Sequence, residues 1–198
     1  MPKLSEATRA DRRQRLIESG WQCLAKSSYA DLSVDEICLQ ASISKGAFYG
    51  YFPHKEALLL ALLEDDAHAM EDHMAKLAAA EPSALMRLRS FAASMLEHAQ
   101  APGRAQIAAD LWAAMLSDAR VRRVVGASTA RRRRILRSWI ESGVASGELV
   151  GAPANALASL MLALGDGLTI HARLDPEAFK WENIRVTVDL LLRALEPR

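Results

Sequence analysis

The chain has 198 residues, which suffices for one large domain or two small domains with a buried core. Hydrophobic residues make up 51% of it, glycines and prolines number only 10 and 7, and no alternating β-branched pattern occurs, so we expect helices throughout. The formal net charge of +1 does not by itself indicate a nucleic-acid binder, and the longest apolar stretch, Leu157 to Leu168, is too short to span a bilayer.

The first predicted helix runs from Ser5 to Ser27 and is amphipathic. Its early turns carry a cluster of arginines, so one end of a nearly neutral protein is basic: Arg9, Arg12, Arg13 and Arg15. The charged N-terminus does not resemble a signal peptide. Cys23 and Cys38 have no metal-ligand spacing, and we interpret them as a reduced core pair in a cytoplasmic protein.

Two short helices follow, joined by a tight turn. Ser33 and Glu36 form a Ser-x-x-Glu capping box, which predicts a helix that begins at Val34 and ends near Ala41. Ser44 can cap a second helix that begins at Lys45 and continues to Pro53. The arrangement predicts a helix-turn-helix, although a packed helical hairpin with two ordinary tyrosines would show the same outline.

The start of the second short helix carries side chains that suit phosphate. Helix N-terminal N–H groups and a lysine both favour anions, and a glycine permits close approach of another surface. Hydroxyl donors and a further cation follow within two turns. The residues with these properties are Ser44, Lys45, Gly46, Tyr49, Tyr51 and Lys55.

These residues resemble the signature of the TetR-type family of bacterial regulators. The match runs through Ser44-Lys45-Gly46-Ala47-Phe48-Tyr49 and Tyr51-Phe52-Pro53-His54-Lys55-Glu56-Ala57-Leu58, and extends back over roughly the first 60 residues. The chain departs from the family pattern at Ser28 and Ser42, where glycine is usual, at Cys38, and at Gly50. If the turn keeps the family's geometry, Ser42 has a positive φ. The resemblance also implies the candidate DNA-binding residues, which are Ser33, Ser44, Lys45, Gly46, Tyr49, Tyr51 and Lys55.

The remainder of the chain has the pattern of a helical bundle. A long helix from about His54 to Ala80 leaves the helix-turn-helix without a flexible break, so we divide the chain into domains at 1–53 and 54–198. Further helices are predicted from Ser83 to the break at 101–103, around the apolar stripe from Ile107 to Leu116, and over 118–146, 153–174 and 181–195. The fold class is therefore all-α, with a three-helix head on a bundle of roughly six helices.

The bundle offers no catalytic constellation and no metal spacing, so an enzyme is disfavoured and no cofactor is expected. The run from Arg131 to Arg134 points in four directions on a helix, and either Arg131 or Arg132 falls near the apolar stripe. A buried arginine needs a partner, which could be Asp110, Asp166 or an anionic ligand.

The family resemblance implies a small-molecule cavity in the bundle and a homodimer formed by the last two helices. The expected effector is largely apolar and of drug-like size. The candidate cavity residues are Phe91, Met95, Trp112, Met115, Leu116, Arg131, Trp139 and His171, and the candidate dimer residues are Leu157, Leu160, Leu164, Leu168, Leu191 and Leu195.

The resemblance thus implies a ligand-responsive transcriptional repressor that binds a palindromic double-stranded operator as a homodimer and has no membrane partner. The alternative is a DNA-binding protein without an effector. A ligand that binds only the folded state raises the melting temperature, which would separate the two.

Overall fold

The computed structural model describes residues 6–101 and 103–197, and these form nine α-helices and no β-strand. The predicted all-α class, with three helices before the long one and six in the bundle, is confirmed. The helices are α1 (Glu6–Leu24), α2 (Val34–Ala41), α3 (Lys45–Tyr49), α4 (Lys55–Ala80), α5 (Ala84–Gln100), α6 (Arg104–Ser117), α7 (Ala119–Ala145), α8 (Ala154–Leu174) and α9 (Trp181–Arg193). No helix in this part of the chain is both long and apolar enough to cross a membrane.

Side-chain caps determine where the short helices begin. The Ser33 hydroxyl accepts a hydrogen bond from the Glu36 backbone N–H, and the Glu36 carboxylate accepts one from the Ser33 backbone, which completes the predicted capping box. The Ser44 hydroxyl accepts from Ala47 N at 3.2 Å and begins α3. The prediction that α3 continues to Pro53 is wrong, because the helix ends at Tyr49 and the next residues form a turn.

The turn between α2 and α3 is left-handed at a residue with a side chain. Ser42 has φ 54° and ψ 42°, and it is the single non-glycine residue with positive φ in the described part of the chain. The predicted positive φ is therefore confirmed. Its cost is modest but real, because a Cβ disfavours this region.

The head has its own hydrophobic core, which reaches beyond residue 53. Leu16, Ile17, Ile37 and Phe48 are almost entirely buried in it, and they pack with residues of two later helices: Leu58, Ala61 and Leu62 of α4, and Ile107 of α6. The hydrophobic core of the head is therefore complete only when the start of α4 and part of α6 pack against it. The domain boundary between residues 53 and 54 stays a prediction.

A second core holds the bundle together. Met74 of α4, Leu88 of α5 and Leu136 and Ile140 of α7 are fully buried in it. Since α4 supplies Leu58 to the head core and Met74 to the bundle core, one continuous helix joins the two over about 24 Å.

The start of α6 touches the end of α1 backbone to backbone. Gly103 has φ 78°, and a Cβ at this position would lie 2.6 Å from the Cα of Ala25. Only glycine fits this contact, because both the φ value and the spacing exclude a side chain.

Candidate DNA-binding surface and effector cavity

The first turn of α3 is an exposed, basic surface. Ser44, Lys45 and Gly46 are all exposed, and a Cβ on Gly46 would meet nothing within 4 Å. The Lys45 ammonium pairs with Asp35 at 2.9 Å, and its hydrogen bond to that carboxylate raises the pKa of Lys45. Both partners are exposed, so this ion pair is weak and another anion can replace it.

One of the two candidate tyrosines lies beside an arginine of α1. Tyr49 is 48% exposed, and its ring packs edge-on against Phe48. Tyr51 is half-buried, with the Arg9 guanidinium 6.0 Å from its ring centroid. Arg13 lies similarly over the Phe52 ring at 5.4 Å. The basic start of α1 therefore packs against the turn that follows α3.

Lys55 occupies a different environment from Lys45. Its half-buried ammonium donates hydrogen bonds to the backbone carbonyls of Tyr29 at 2.9 Å, Ala30 at 3.4 Å and Leu32 at 3.0 Å. It also lies 4.6 Å from the centroid of the Tyr29 ring. An ammonium has three N–H donors, and all three are used here. In this structure the lysine fastens the loop between α1 and α2, and contact of Lys55 with DNA stays a prediction.

Ser33 is likewise engaged within the head. Its hydroxyl donates to the Glu36 carboxylate at 3.0 Å while accepting the capping hydrogen bond from the Glu36 backbone. The side chain remains partly accessible beside α3. Its role as a cap is shown by this geometry, and contact with DNA stays a prediction.

A cavity of about 160 Å³ lies between the five helices α4 to α8. Four of the predicted residues line it: Phe91, Met95, Trp112 and Met115. Further apolar lining comes from Leu63, Ala67, Met70, Ile107, Leu111, Val125 and Leu162. This volume lies below the range of about 300–1,000 Å³ that is typical of pockets for drug-sized ligands, so it favours a smaller effector than the one expected.

The other four predicted residues lie outside the cavity. Leu116 is 80% exposed at the end of α6, and His171 is exposed beyond the last lining residue of α8. Arg131 points to α4, where its Nε donates to the Glu71 carboxylate at 2.7 Å. Trp139 is buried in the bundle core, with its ring against Phe91. The structure does not bring these four residues to the cavity, because their placement depends on helix rotation or bundle closure that spacing alone does not determine; ligand contact at them stays a prediction.

One wall of the cavity is ionisable, and each of the five helices contributes one group to it. The groups are Asp66, His98, Arg104, Arg132 and Asp166. Sequence reasoning left Arg132 and Asp166 open and missed the other three. A usable signal was present in Asp166, which interrupts the most apolar helix of the chain.

Arg104 connects the ionisable wall with the head. Its guanidinium pairs with Asp66 at 3.5 Å, contacts the His98 ring nitrogen, and lies 5.8 Å from the centroid of the Trp21 ring on α1. Burial lowers the pKa of His98, and the positive charge of Arg104 lowers it further. His98 is therefore neutral at pH 7.

Arg132 and Asp166 are the two wall groups that lack a close charged partner. The Nε of Arg132 is buried without a hydrogen-bond partner, and its Nη2 makes only a 3.5 Å contact with the Thr129 hydroxyl. Asp166 forms no hydrogen bond or ion pair through its side chain with residues 6–101 or 103–197. Asp166 is an exposed residue at the cavity wall, and partial burial of its carboxyl raises its pKa despite the nearby charges of Arg132 and Arg104.

Exposed apolar side chains lie on α8 and on α9, the two helices where the dimer was predicted. Leu160 of α8 is 55% exposed, and Leu191 of α9 is 58% exposed. Val186 and Leu190, also on α9, are 61% and 58% exposed. The remaining predicted residues, Leu157, Leu164, Leu168 and Leu195, are half-buried. Exposed apolar side chains at this density favour a partner surface.

Comparison with known proteins gives matches to both parts of the chain. The family model described as bacterial regulatory proteins of the tetR family matches residues 16–62, and that of the C-terminal part of BetI-type transcriptional repressors matches residues 84–196. The HTH-type transcriptional regulator YuxN of Bacillus subtilis is 47% identical over 53 residues, which are 27% of this chain and 18% of that protein. The chain thus matches less than a fifth of that relative.

Solved structures match over nearly the whole chain. A TetR transcription regulator from Haloarcula marismortui has a TM-score of 0.84 at 18% identity, covering 95% of this chain and all of the other. A transcriptional regulator from Saccharomonospora viridis, solved in complex with choline, has a TM-score of 0.83 at 19% identity, covering 96% and 100%. At these identities the likeness concerns the fold.

Proposed function

The chain belongs to the TetR family of bacterial regulatory proteins, and on that basis we propose that it is a ligand-responsive transcriptional repressor. It binds a palindromic DNA operator as a homodimer in the cytoplasm. A small molecule in the bundle cavity releases it from the DNA.

The observation that carries the DNA-binding part is the exposed first turn of α3. Ser44, Lys45 and Gly46 present backbone N–H groups and an ammonium with no bulk in front of them. The helix N-terminus and the lysine both attract phosphate, and Arg9 and Arg13 extend the positive surface along α1. The Lys45 ammonium exchanges Asp35 for a DNA phosphate on binding.

The dimer supplies the second α3. Two-fold related helix-turn-helix heads read half-sites about 34–36 Å apart, or a multiple of that distance. The exposed leucines of α8 and α9, Leu160 and Leu191 among them, would be buried between two copies of this chain.

Two helices, α4 and α6, connect the cavity with the head. Ile107 and Leu111 of α6 line the cavity and also pack against the head core. The neighbouring Asp110 carboxylate accepts a hydrogen bond from the Tyr29 backbone N–H at 2.6 Å. Movement of α6 therefore moves the loop before α2. A ligand that fits one head separation better than the other shifts the equilibrium by that difference in affinity.

The effector is a small molecule, in keeping with the cavity volume. The similar Saccharomonospora viridis protein was solved with choline, which is also small. The family is one of regulators, and we propose no catalytic activity. A DNA-binding protein without an effector is the alternative, and thermal-shift screening with small metabolites would favour it if no compound raised the melting temperature.

Operator binding is tested with DNA fragments selected by the protein from a random pool. Lys45→Ala should weaken binding and reduce the slope of log affinity against log salt by about 1, because one phosphate contact is lost. Lys76→Ala, on an exposed position of α4, is the matched control and should change neither quantity. If Lys45→Ala and Tyr49→Phe both bind as tightly as the wild type, the head does not use α3 in this way.

A further inference from the structure

We propose that the effector is a small carboxylate of about single-ring size, whose carboxylate group binds Arg132 and whose ring lies against Trp112. This inference rests on the proposed function, because it identifies the ligand class of the same cavity.

The cavity volume limits the size of the ligand. At about 160 Å³ it is close to the engineered cavity of about 150 Å³ that binds benzene. Its apolar end consists of Met95, Trp112 and Met115 together with Phe91, whose other face packs on Trp139. One six-membered ring and one small polar substituent fill this space.

The ionisable groups of the cavity wall determine which polar group the ligand carries. Arg104 already has Asp66 and His98 as partners, whereas Arg132 has a buried Nε without a partner. A guanidinium remains charged at all physiological pH values and presents its N–H groups in a fork that fits a carboxylate. Arg132 and Asp166 are thus the two unpaired wall groups, and Arg132 is the one whose buried donor an anion on the ligand can satisfy.

The remaining wall groups allow an anion beside Arg132. Asp66 is held by Arg104, and His98 is neutral. Asp166 opposes an anion where its carboxyl is ionised; desolvation raises the pKa of Asp166, so this opposition weakens as the pH is lowered. A quaternary ammonium, in contrast, needs several aromatic faces, and only the rings of Phe91 and Trp112 line the cavity among the residues that the structure describes.

Three compounds of almost equal shape test the charge directly: benzoate, benzamide and benzamidine. Their binding to the full-length protein is measured by titration calorimetry at pH 7. Benzoate should bind at least about tenfold more tightly than neutral benzamide, because it alone forms the charge-assisted pair. Cationic benzamidine should bind most weakly. Binding should also change the fluorescence of Trp112, and Trp112→Phe should remove that part of the signal.

The matched variants are Arg132→Met, which removes the cation inside the cavity, and Arg134→Met, two residues along α7 on an exposed position. Arg132→Met should lower benzoate affinity at least about tenfold and leave benzamide affinity unchanged, whereas Arg134→Met should alter neither. If Arg132→Met fails to fold, Arg132→Lys and the three-compound comparison on the wild type still decide the question.

Two results overturn the inference: benzamidine binding more tightly than benzoate, or no binding of benzoate at millimolar concentration to folded protein. DNA binding of the ligand-free protein is measured separately. Intact DNA binding without carboxylate binding defeats only the inference, while absence of DNA binding defeats the proposed function whatever the ligand.

Discussion

Replacement of Lys55 by methionine should destabilise the protein without removing a DNA contact. Methionine keeps the apolar length of the side chain and deletes the ammonium that bonds the carbonyls of Tyr29, Ala30 and Leu32. These carbonyls belong to the loop that leads from α1 into α2. The loss therefore affects how the helix-turn-helix is assembled, and folded protein should still bind DNA.

The magnitude follows from the two short contacts and the ring. Hydrogen bonds to a charged group contribute about 1.5–3 kcal/mol each, and the contact with the Tyr29 ring adds about 0.5–1 kcal/mol. Because the loop is partly exposed, water replaces some of the lost hydrogen bonds. We therefore expect the free energy of unfolding to fall by about 3 kcal/mol. Against a typical total of about 5–15 kcal/mol this is a large fraction.

Urea unfolding followed by circular dichroism measures the change, at fixed protein concentration because a dimer's stability depends on it. Lys45→Met is the matched comparison: it should leave stability within about 0.5 kcal/mol, as surface substitutions do, and weaken DNA binding. The opposite pattern would refute the reasoning. If Lys55→Met is as stable as the wild type and binds DNA with a smaller salt dependence, then Lys55 contacts phosphate and the loop does not need it.

Three further changes test separate features. Ser42→Gly should raise the free energy of unfolding by up to about 1 kcal/mol, since glycine adopts a left-handed φ without strain; a loss in urea melts would contradict this. Leu160→Arg should give monomers by sedimentation and abolish operator binding, whereas Met86→Arg, at an exposed position of α5, should leave the dimer intact. Asp166→Asn should stabilise the protein at pH 7 but not near pH 4. The pKa of Asp166 is raised above its ordinary 3.8, so ionisation of this carboxyl costs the folded state free energy. That cost is absent at low pH and grows as the pH rises through the folded pKa. Equal effects of Asp166→Asn at both pH values would contradict that assignment.

Helix boundaries were predictable wherever a single side chain determines them. Ser33, Ser44 and Ser83 each accept a hydrogen bond from the backbone three residues later, and all three begin helices where expected. The end of α3 was not predictable in this way. The backbone N–H groups of Gly50 and Tyr51 donate to carbonyls three residues back, so the chain tightens into a turn before it reaches Pro53.

The cavity was predictable only in part, for a geometric reason. Phe91, Met95, Trp112 and Met115 face it, as the apolar stripes and the family resemblance suggested. Neighbouring residues on a helix differ by about 100° in direction, so whether Arg131 or its successor turns inward depends on a rotation of α7 that packing sets. Likewise, the hydrogen-bond partners of Lys55 are 23 to 26 residues away in sequence, so no local sequence pattern predicts them.

The backbone contact between Gly103 and Ala25 limits how sensing halves could be exchanged between regulators of this kind. Side chains at a joint can adopt new rotamers, but a Cβ 2.6 Å from a neighbouring Cα cannot be accommodated without moving a helix. A chimeric protein spliced within α4 alone would preserve the covalent connection and still lose this second joint. We expect such hybrids to bind DNA yet ignore their ligand, unless glycine and the matching end of α1 are transferred together.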